Sequence, residues 1–447
     1  MNDLTTGPIR GHLARLGGTI LFGMVFQSLY YLVDLFFVAR VGSAAVAAVG
    51  LAGNLMLVTI ALTQALTIGT TTLVALAWGR KDYPEAQRVF NQSQVLASCV
   101  GVAFMVIAFL LRERFAVGLA ADAETAQAVR DYLDWFLPAM AFQFLMVAMT
   151  AALRGAGEVK APMMVQIFSV LVNTILAPIL IVGWGTGRPM GVAGAGLATF
   201  LAVLLGSLLL VFWLRRRHDV LRFDPKQWRP DFALWRRMLS IGLPTGGEFL
   251  LMSVYATLIY ALIKDFGAEA QAGFGVGMRV MQTFFMPALA VAFAVAPIAG
   301  QNFGAGQFDR VRQTLRTGLQ LATMVMIVLM LLCHFAPELV VHPFSSEPGV
   351  VAASAEMLRI LSFNFIASGV VLICGSLFQA LGNTVPSLLA SLSRIACFAM
   401  PAVYVSRLPG FELSDLWWIS VVSVLIQMGL ILLLLRREMR RRIPVSA

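Results

Sequence analysis

Three side chains able to handle an ion or a proton share one helical face near the start of the chain. Gln27, Tyr30 and Asp34, in VFQSLYYLVDLFFVAR (25–40), are spaced i, i+3, i+7. They offer an amide, a phenol and a carboxylate, a set that suits a small hydrated cation or a proton relay. A second acid, Glu248, stands in GLPTGGEFLLMSVYATLIYALI (242–263), one turn after Pro244. Both acids lie in apolar runs. A carboxylate at membrane depth costs several kcal/mol unless it is paired, hydrated or protonated, so it normally faces a polar cavity and marks an ion pathway. The competing reading for each is a structural salt bridge, for which Arg279 and Arg394 are available, or a hydrogen bond to a helix end. Pro244 removes a donor from its helix ladder. The Pro-Thr-Gly-Gly run beside Glu248 therefore reads as a bend, either a packing kink or a hinge.

The elements that must hold these acids are long and apolar. Of the 447 residues, 59% are hydrophobic and 13% charged, about half the charge fraction usual in a soluble domain. Apolar runs of helix length recur throughout, each able to cross a hydrocarbon core about 30 Å thick. Twelve spans are expected, near 14–39, 46–77, 92–112, 132–153, 161–184, 191–214, 238–263, 271–300, 316–337, 357–381, 385–407 and 415–435. No cleavable signal peptide is evident in the first run.

The net charge of +10 follows topology. The stretch 215–237 holds eight basic residues and the tail 436–442 five more. Loops after even-numbered spans, with both termini, hold about 23 of the 33 Lys and Arg, and the alternate loops about 8. The positive-inside rule then places both termini in the cytoplasm, and the basic balance reports contact with anionic lipid rather than nucleic acid. Cys99, Cys333, Cys374 and Cys397 lie in or at the ends of apolar runs without paired spacing, and read as small buried hydrophobes. His12, His218, His334 and His342 are scattered, so no metal site is expected. No His sits deep in a span beside a nucleophile, which argues against an intramembrane enzyme.

The chain repeats itself at an offset of 225 residues, pairing Gly42 with Gly267, Gly50 with Gly275, Gly79 with Gly304 and Gly157 with Gly382. Matched glycines mark matched turns. The expected organisation is an N-terminal six-helix bundle (1–214), a basic cytoplasmic linker (215–237) and a C-terminal six-helix bundle (238–447). With an even number of helices per repeat the halves are parallel repeats, a transporter design with a central cleft and alternating access. The acids break this symmetry: Asp34 maps onto Ile259, and Glu248 onto Gly23. Each acid belongs to its own bundle.

The stretches LVDLFFVARVG, ALRGAGEVKAPM with the following Asn173, GVAGAGLAT, GLPTGGEF and MPALAVAFAVAPIAGQNFGAGQ, in this order and spacing, resemble the multidrug and toxic compound extrusion (MATE) family over essentially the whole chain. The resemblance implies an all-α, twelve-helix, V-shaped antiporter of the bacterial cytoplasmic (inner) membrane, acting as a monomer. It implies export of amphiphilic, often cationic compounds against Na⁺ or H⁺, with no further cofactor. Asp34 matches the family's acid in helix 1. Gln27, Asn173, Ala195 and Thr199 match positions near its N-lobe cation or proton site, and Glu248 matches a helix 7 acid of one bacterial branch. Three positions depart from the family. Ala177 stands where a second N-lobe acid is common, span 10 offers Asn364, Ser368, Ser376 and Gln379 but no acid, and the helix 1 proline of some members falls near Thr19. Tyr30, Tyr255, Met252, Met281, Phe284 and Phe285 are the expected lining of a substrate cavity, since adaptable Met and aromatic walls suit varied ligands. The alternative within the same broad superfamily is a lipid-linked precursor flippase. Holding pyrophosphate would need a strongly cationic cavity, and only Arg279 and Arg394 lie well inside spans.

Overall fold

In the lipid interior only internally hydrogen-bonded backbone is stable, and the computed structural model meets that demand with helices alone. It describes residues 3–443; the side chains of Tyr30, Tyr31 and Leu35 lie outside the described set. Among the described residues there is no strand. The helices are α1 (Ile9–Ala39), α2 (Ser43–Gly79), α3 (Tyr83–Leu119), α4 (Ala123–Gly155), α5 (Lys160–Ala177), α6 (Gly191–Arg217), α7 (Phe232–Ile263), α8 (Ala268–Gly304), α9 (Phe308–Phe335), α10 (Pro337–Val341), α11 (Pro348–Leu361), α12 (Asn364–Leu381), α13 (Val385–Val405) and α14 (Leu413–Arg442). Among the described residues twelve helical segments are long and apolar enough to cross a membrane. α5 runs on through a π-helical turn, Pro178–Val182, and ends at Gly183 with φ 81°.

The 225-residue offset holds in the helix bounds. α2 and α8 have 37 residues each and begin at Ser43 and Ala268. α3 and α9 begin at Tyr83 and Phe308, α5 and α13 at Lys160 and Val385, and α6 and α14 end at Arg217 and Arg442. Two of the four matched glycine pairs are turns with positive φ in both halves: 143° at Gly42 and 91° at Gly267, 81° at Gly157 and 74° at Gly382. Gly50 and Gly275 instead lie inside α2 and α8, and Gly79 and Gly304 are the last residues of those helices. One element departs. The counterpart of the unbroken α4 is split into α11 and α12 by a turn at Ser362–Phe363. The span expected at 357–381 straddles that turn.

The chain divides into two compact units. Unit 1 holds Thr19–Gly246, and unit 2 holds Leu4–Gly18 with the chain from Gly247 onward. Both cuts fall inside continuous helices, α1 and α7. In unit 1, α4 packs on α2, α3, α5 and α6. In unit 2, α12 packs on α8, α9, α13 and α14.

Small residues set the closest helix crossings, because two helices in lipid gain little from apolar burial and must gain from contact. In unit 1, α2 and α7 cross on two small-residue rows. A Cβ on Gly246 would stand 2.5 Å from the Ala61 carbonyl oxygen; one on Gly242 would collide with the Ala65 carbonyl, and one on Gly69 with that of Met238. The spacing of four along each helix makes this a small-xxx-small crossing. Gly246, in the Pro-Thr-Gly-Gly run, is therefore needed for packing.

The basic linker is bound to unit 1 by two buried amides. Asn91, fully buried, donates to the Arg222 carbonyl at 2.9 Å and accepts from the Asp224 N–H at 2.9 Å. Gln92, 2% exposed, donates to the Arg229 carbonyl at 2.7 Å and accepts from the Asp231 N–H at 3.0 Å and the Trp235 indole at 2.9 Å. His218 ends α6 with its ring buried edge-on between Trp78 and Trp213. Its Nδ1 accepts from the Leu221 N–H at 3.0 Å, which requires a neutral ring. Burial holds this imidazole down at about 4.

Two outcomes follow for stability. Gly242→Val lowers the melting temperature of the purified protein, at a cost of about 1–3 kcal/mol for overpacking, whereas Gly429→Val, with open space at its Cβ, does not. The His218 ring binds its proton less readily in the packed linker than when released, so packing is fully stable above the ordinary histidine value. It weakens as pH falls from about 6.5 toward 4. Trp fluorescence followed over that window should change in wild type and be flat in His218→Phe.

Candidate functional site

Unit 1 carries a buried polar layer. On α1, Phe22, Val25, Leu29, Leu32 and Phe36 form an exposed apolar stripe suited to lipid, and the opposite face buries Asp34 and Val38. Val38 sits in an apolar cluster with Ala177 of α5 and Ala195 of α6. The register comes from close approaches: the Gly23 Cβ position is 3.9 Å from Met163 Cγ, and that of Gly191 is 3.6 Å from Val41 Cγ1. α1 therefore runs beside α5 at an offset of 140 residues, which sets Asp34 level with Asn173 and Thr174. Against the antiparallel α6, the same extrapolation brings Asp34 level with Ala198, next to Thr199. Each of the three polar residues is one turn from a member of the apolar cluster, on the same side of it. The polar layer thus contains Asp34 (8% exposed), Asn173 (0%) and Thr199 (5%).

The Asp34 Oδ1 is buried with no hydrogen-bond partner among the described residues. A carboxylate oxygen so placed needs a proton, a water or a cation. Gln27 is half-buried two turns away on the same helix. Ala195 is fully buried in the apolar layer and brings no side-chain heteroatom. The side chain of Tyr30 lies outside the described residues.

Unit 2 carries a different polar seam. Glu248, half-buried on α7, has a buried Oε1 without a hydrogen-bond partner, and the Ser387 hydroxyl of α13 lies beside its carboxyl group. Seven residues on along each helix, Arg394 of α13 lies over the ring of Tyr255 of α7, 4.7 Å from Cζ to centroid. Repeated contacts at a common step of seven mean the two helices run parallel, face to face. The Tyr255 hydroxyl is 2.8 Å from Ser420 Oγ of α14, which also accepts from the Asn364 amide at 3.3 Å. Between the two ends, Gln427 donates to Ser391 Oγ at 3.3 Å. Asn364 opens α12 directly after the turn that splits it from α11, so the break delivers a polar residue to the seam.

The salt-bridge reading of Glu248 is not what the geometry shows. Among the described residues Glu248 makes no ion pair, Arg279 is exposed, and Arg394 stacks on Tyr255. The Met and aromatic residues expected to line one cavity are placed differently from one another. Met281, Phe284 and Phe285 pack on the apolar core of unit 2, with Phe285 edge-on to Phe365 at 5.2 Å. Met252 is 61% exposed. Among the described residues of that group Tyr255 reaches the polar seam through its hydroxyl, and with Met281 it packs on a second apolar cluster of unit 2. Ser387, Ser391, Ser420 and Gln427 escaped the sequence reading. The signal was present as helical spacing: 387, 391 and 394 share one face of α13, and 420, 423 and 427 one face of α14.

A prediction tests the seam as a unit. Tyr255→Phe and Ser420→Ala each destabilise by about 1 kcal/mol through loss of their shared bond. The double mutant should cost about 0.5–1.5 kcal/mol less than the sum, and strict additivity would show that the bond contributes nothing.

Comparison with known proteins agrees with this architecture. The model of the MatE family matches residues 19–179 and 244–405, one match in each half. The chain is 27% identical over 403 residues to the probable multidrug resistance protein YoeA of Bacillus subtilis, covering 89% of this chain and 87% of that one. It is 24% identical over 404 residues to the FAD transporter of Shewanella oneidensis, covering 90% and 88%. Its fold is similar to that of a MOP superfamily transporter from Pyrococcus furiosus, with a TM-score of 0.90, 22% identity and 98% of each chain covered. With twelve membrane-length apolar helices among the described residues and a family match in each repeat, the chain belongs to the MatE (multidrug and toxic compound extrusion) family of multi-pass membrane transporters.

Proposed function

We propose that the protein is a secondary efflux antiporter that exports amphiphilic, chiefly cationic compounds in exchange for Na⁺ or H⁺. The observation that supports this reading most is the buried Asp34 carboxylate oxygen without a partner, on a helix whose close approaches to α5 and α6 bring it to about the depth of the buried Asn173 and Thr199. The repeat positions of these three residues in unit 2 are Ile259, Phe398 and Val424, all apolar and buried. The polar layer is therefore not a packing feature common to both halves.

The carboxylate is stable at depth only with a proton or a cation beside it. It cannot satisfy two occupants at once, so arrival of one favours departure of the other, and that competition couples the two flows. Asn173 and Thr199 supply neutral oxygens of the kind a hard cation takes. Glu248 with Ser387 would serve the same purpose in unit 2. The basic loops and tail support a reading with both termini in the cytoplasm, and membership of the family supports a bacterial inner membrane and a monomer as the working form. The names of the relatives, one for multidrug resistance and one for FAD transport, support small-molecule export without fixing the substrate.

Purified protein in liposomes decides this. Under an imposed pH or Na⁺ gradient, wild type should accumulate ethidium with one gradient and not the other. Asp34→Asn should lower the driven rate at least about tenfold, the loss of roughly 1.4 kcal/mol of coupling, with its melting temperature nearly unchanged. Full coupled transport in both Asp34→Asn and Glu248→Gln would remove the mechanism.

A further inference from the structure

Arg394 has no assigned partner in the exchange just described. It stands near the middle of α13, Val385–Val405, so each end of the helix is roughly 15 Å away by helical rise. Its side chain is too short to carry the charge to either interface. Its Nε is buried with no hydrogen-bond partner, and among the described residues it forms no ion pair. Glu248 lies two turns along the seam, roughly 10 Å by helical rise and beyond hydrogen-bonding reach. A guanidinium so placed calls for an anion.

The surroundings are built to hold the group still. The Tyr255 ring lies against one face of the guanidinium. The Tyr255 hydroxyl is fixed by Ser420, which also holds the Asn364 amide. Asn364 is 3% exposed, and its Oδ1 has no hydrogen-bond partner. The repeat shows that these groups are not inherited from packing. The positions of Arg394, Asn364, Ser420 and Gln427 correspond in unit 1 to Ser169, Ala139, Ala195 and Ala202, which are small and lack charge.

We propose that Arg394, framed by Tyr255, Asn364 and Ser420, binds the carboxylate or a similar planar anionic group of an amphiphilic aromatic substrate. The planar fork of the guanidinium matches a carboxylate in two hydrogen bonds, and the aromatic face beneath it fixes the plane in which they form. Glu248, two turns away in the same seam, can then take a basic nitrogen of the same molecule. The substrate class becomes amphoteric aromatic compounds rather than cations alone. This rests on the transport reading above and sharpens it.

A dye pair separates the two ideas. Rhodamine 110 carries a free carboxylate and rhodamine 123 is its methyl ester, with the same cationic ring system. Fluorescence anisotropy with purified protein gives the affinity for each, and the readout is their ratio. In wild type the acid should bind more tightly than the ester. In Arg394→Gln that ratio should fall at least about tenfold, since truncating a charged hydrogen-bond partner costs more than roughly 1.4 kcal/mol. Arg394→Lys, which keeps the charge but loses the fork, should give an intermediate ratio, and it carries the test alone if Arg394→Gln does not fold. Equal weakening of both dyes would assign Arg394 to packing on Tyr255 and overturn the proposal, as would binding of the ester without the acid in wild type. Gradient-driven uptake of rhodamine 123 is measured beside it. Its failure would sink the antiport reading, and its success with an unchanged ratio would sink only the carboxylate site.

Discussion

A hydrocarbon interior offers nothing to hydrogen-bond with, and the rest of this structure follows from that. Every backbone amide at depth must find its partner within its own helix, so the chain is helices joined by short turns. With solvent of little use as a driving force between them, the helices hold together by close approach, and small residues sit where they cross. Gly242, Gly246 and Gly69 let α2 and α7 meet backbone to backbone. The same constraint gives meaning to the exceptions. Asp34, Glu248 and Arg394 are costly in such an interior, and each is kept where polar neighbours line its helix face.

The two halves of the chain are the same architecture with different interiors. Helix lengths, turn glycines and helix ends repeat at a constant offset, because they answer to bilayer thickness and turn geometry, which are equal for both halves. The side chains inside do not repeat. Where unit 1 has Asp34, Asn173 and Thr199, unit 2 has Ile259, Phe398 and Val424; where unit 2 has Arg394, Asn364 and Ser420, unit 1 has Ser169, Ala139 and Ala195. Each interior is polar at positions the other fills with small or apolar groups. The duplicated bundles diverge this way while the turn glycines Gly42 and Gly267, and Gly157 and Gly382, stay in place.

Much of this was legible in the residues. Apolar runs of bilayer length, glycines at one offset and two isolated acids are strong local signals, and the acids do lie on buried faces. The seam of unit 2 was harder. A serine such as Ser420 in an apolar run is neutral on any hydropathy scale, and its importance appears only when Tyr255 and Asn364, from two other helices, arrive at the same hydroxyl. The split between α11 and α12 carries no proline; in the unbroken α4 the corresponding position is Pro138, so the usual breaker signal points to the wrong half. The linker read as a charged tether, because the amides that fix it, Asn91 and Gln92, are more than a hundred residues earlier and look like ordinary helix polar residues.

The segment before α1 has a consequence in time. Leu4 accepts from Asn302 and Arg310, its N–H donates to Gln301, and Arg310 also holds the Gly7 carbonyl. These partners are about 300 residues later in the chain, and at roughly 5–20 residues per second they leave the ribosome about 15–60 s after Leu4 does. For that interval the first turns of α1 have been made but have nothing to dock on. The insertion machinery or the membrane surface must hold them, and α1 cannot be seated along its full length until α8 has followed it.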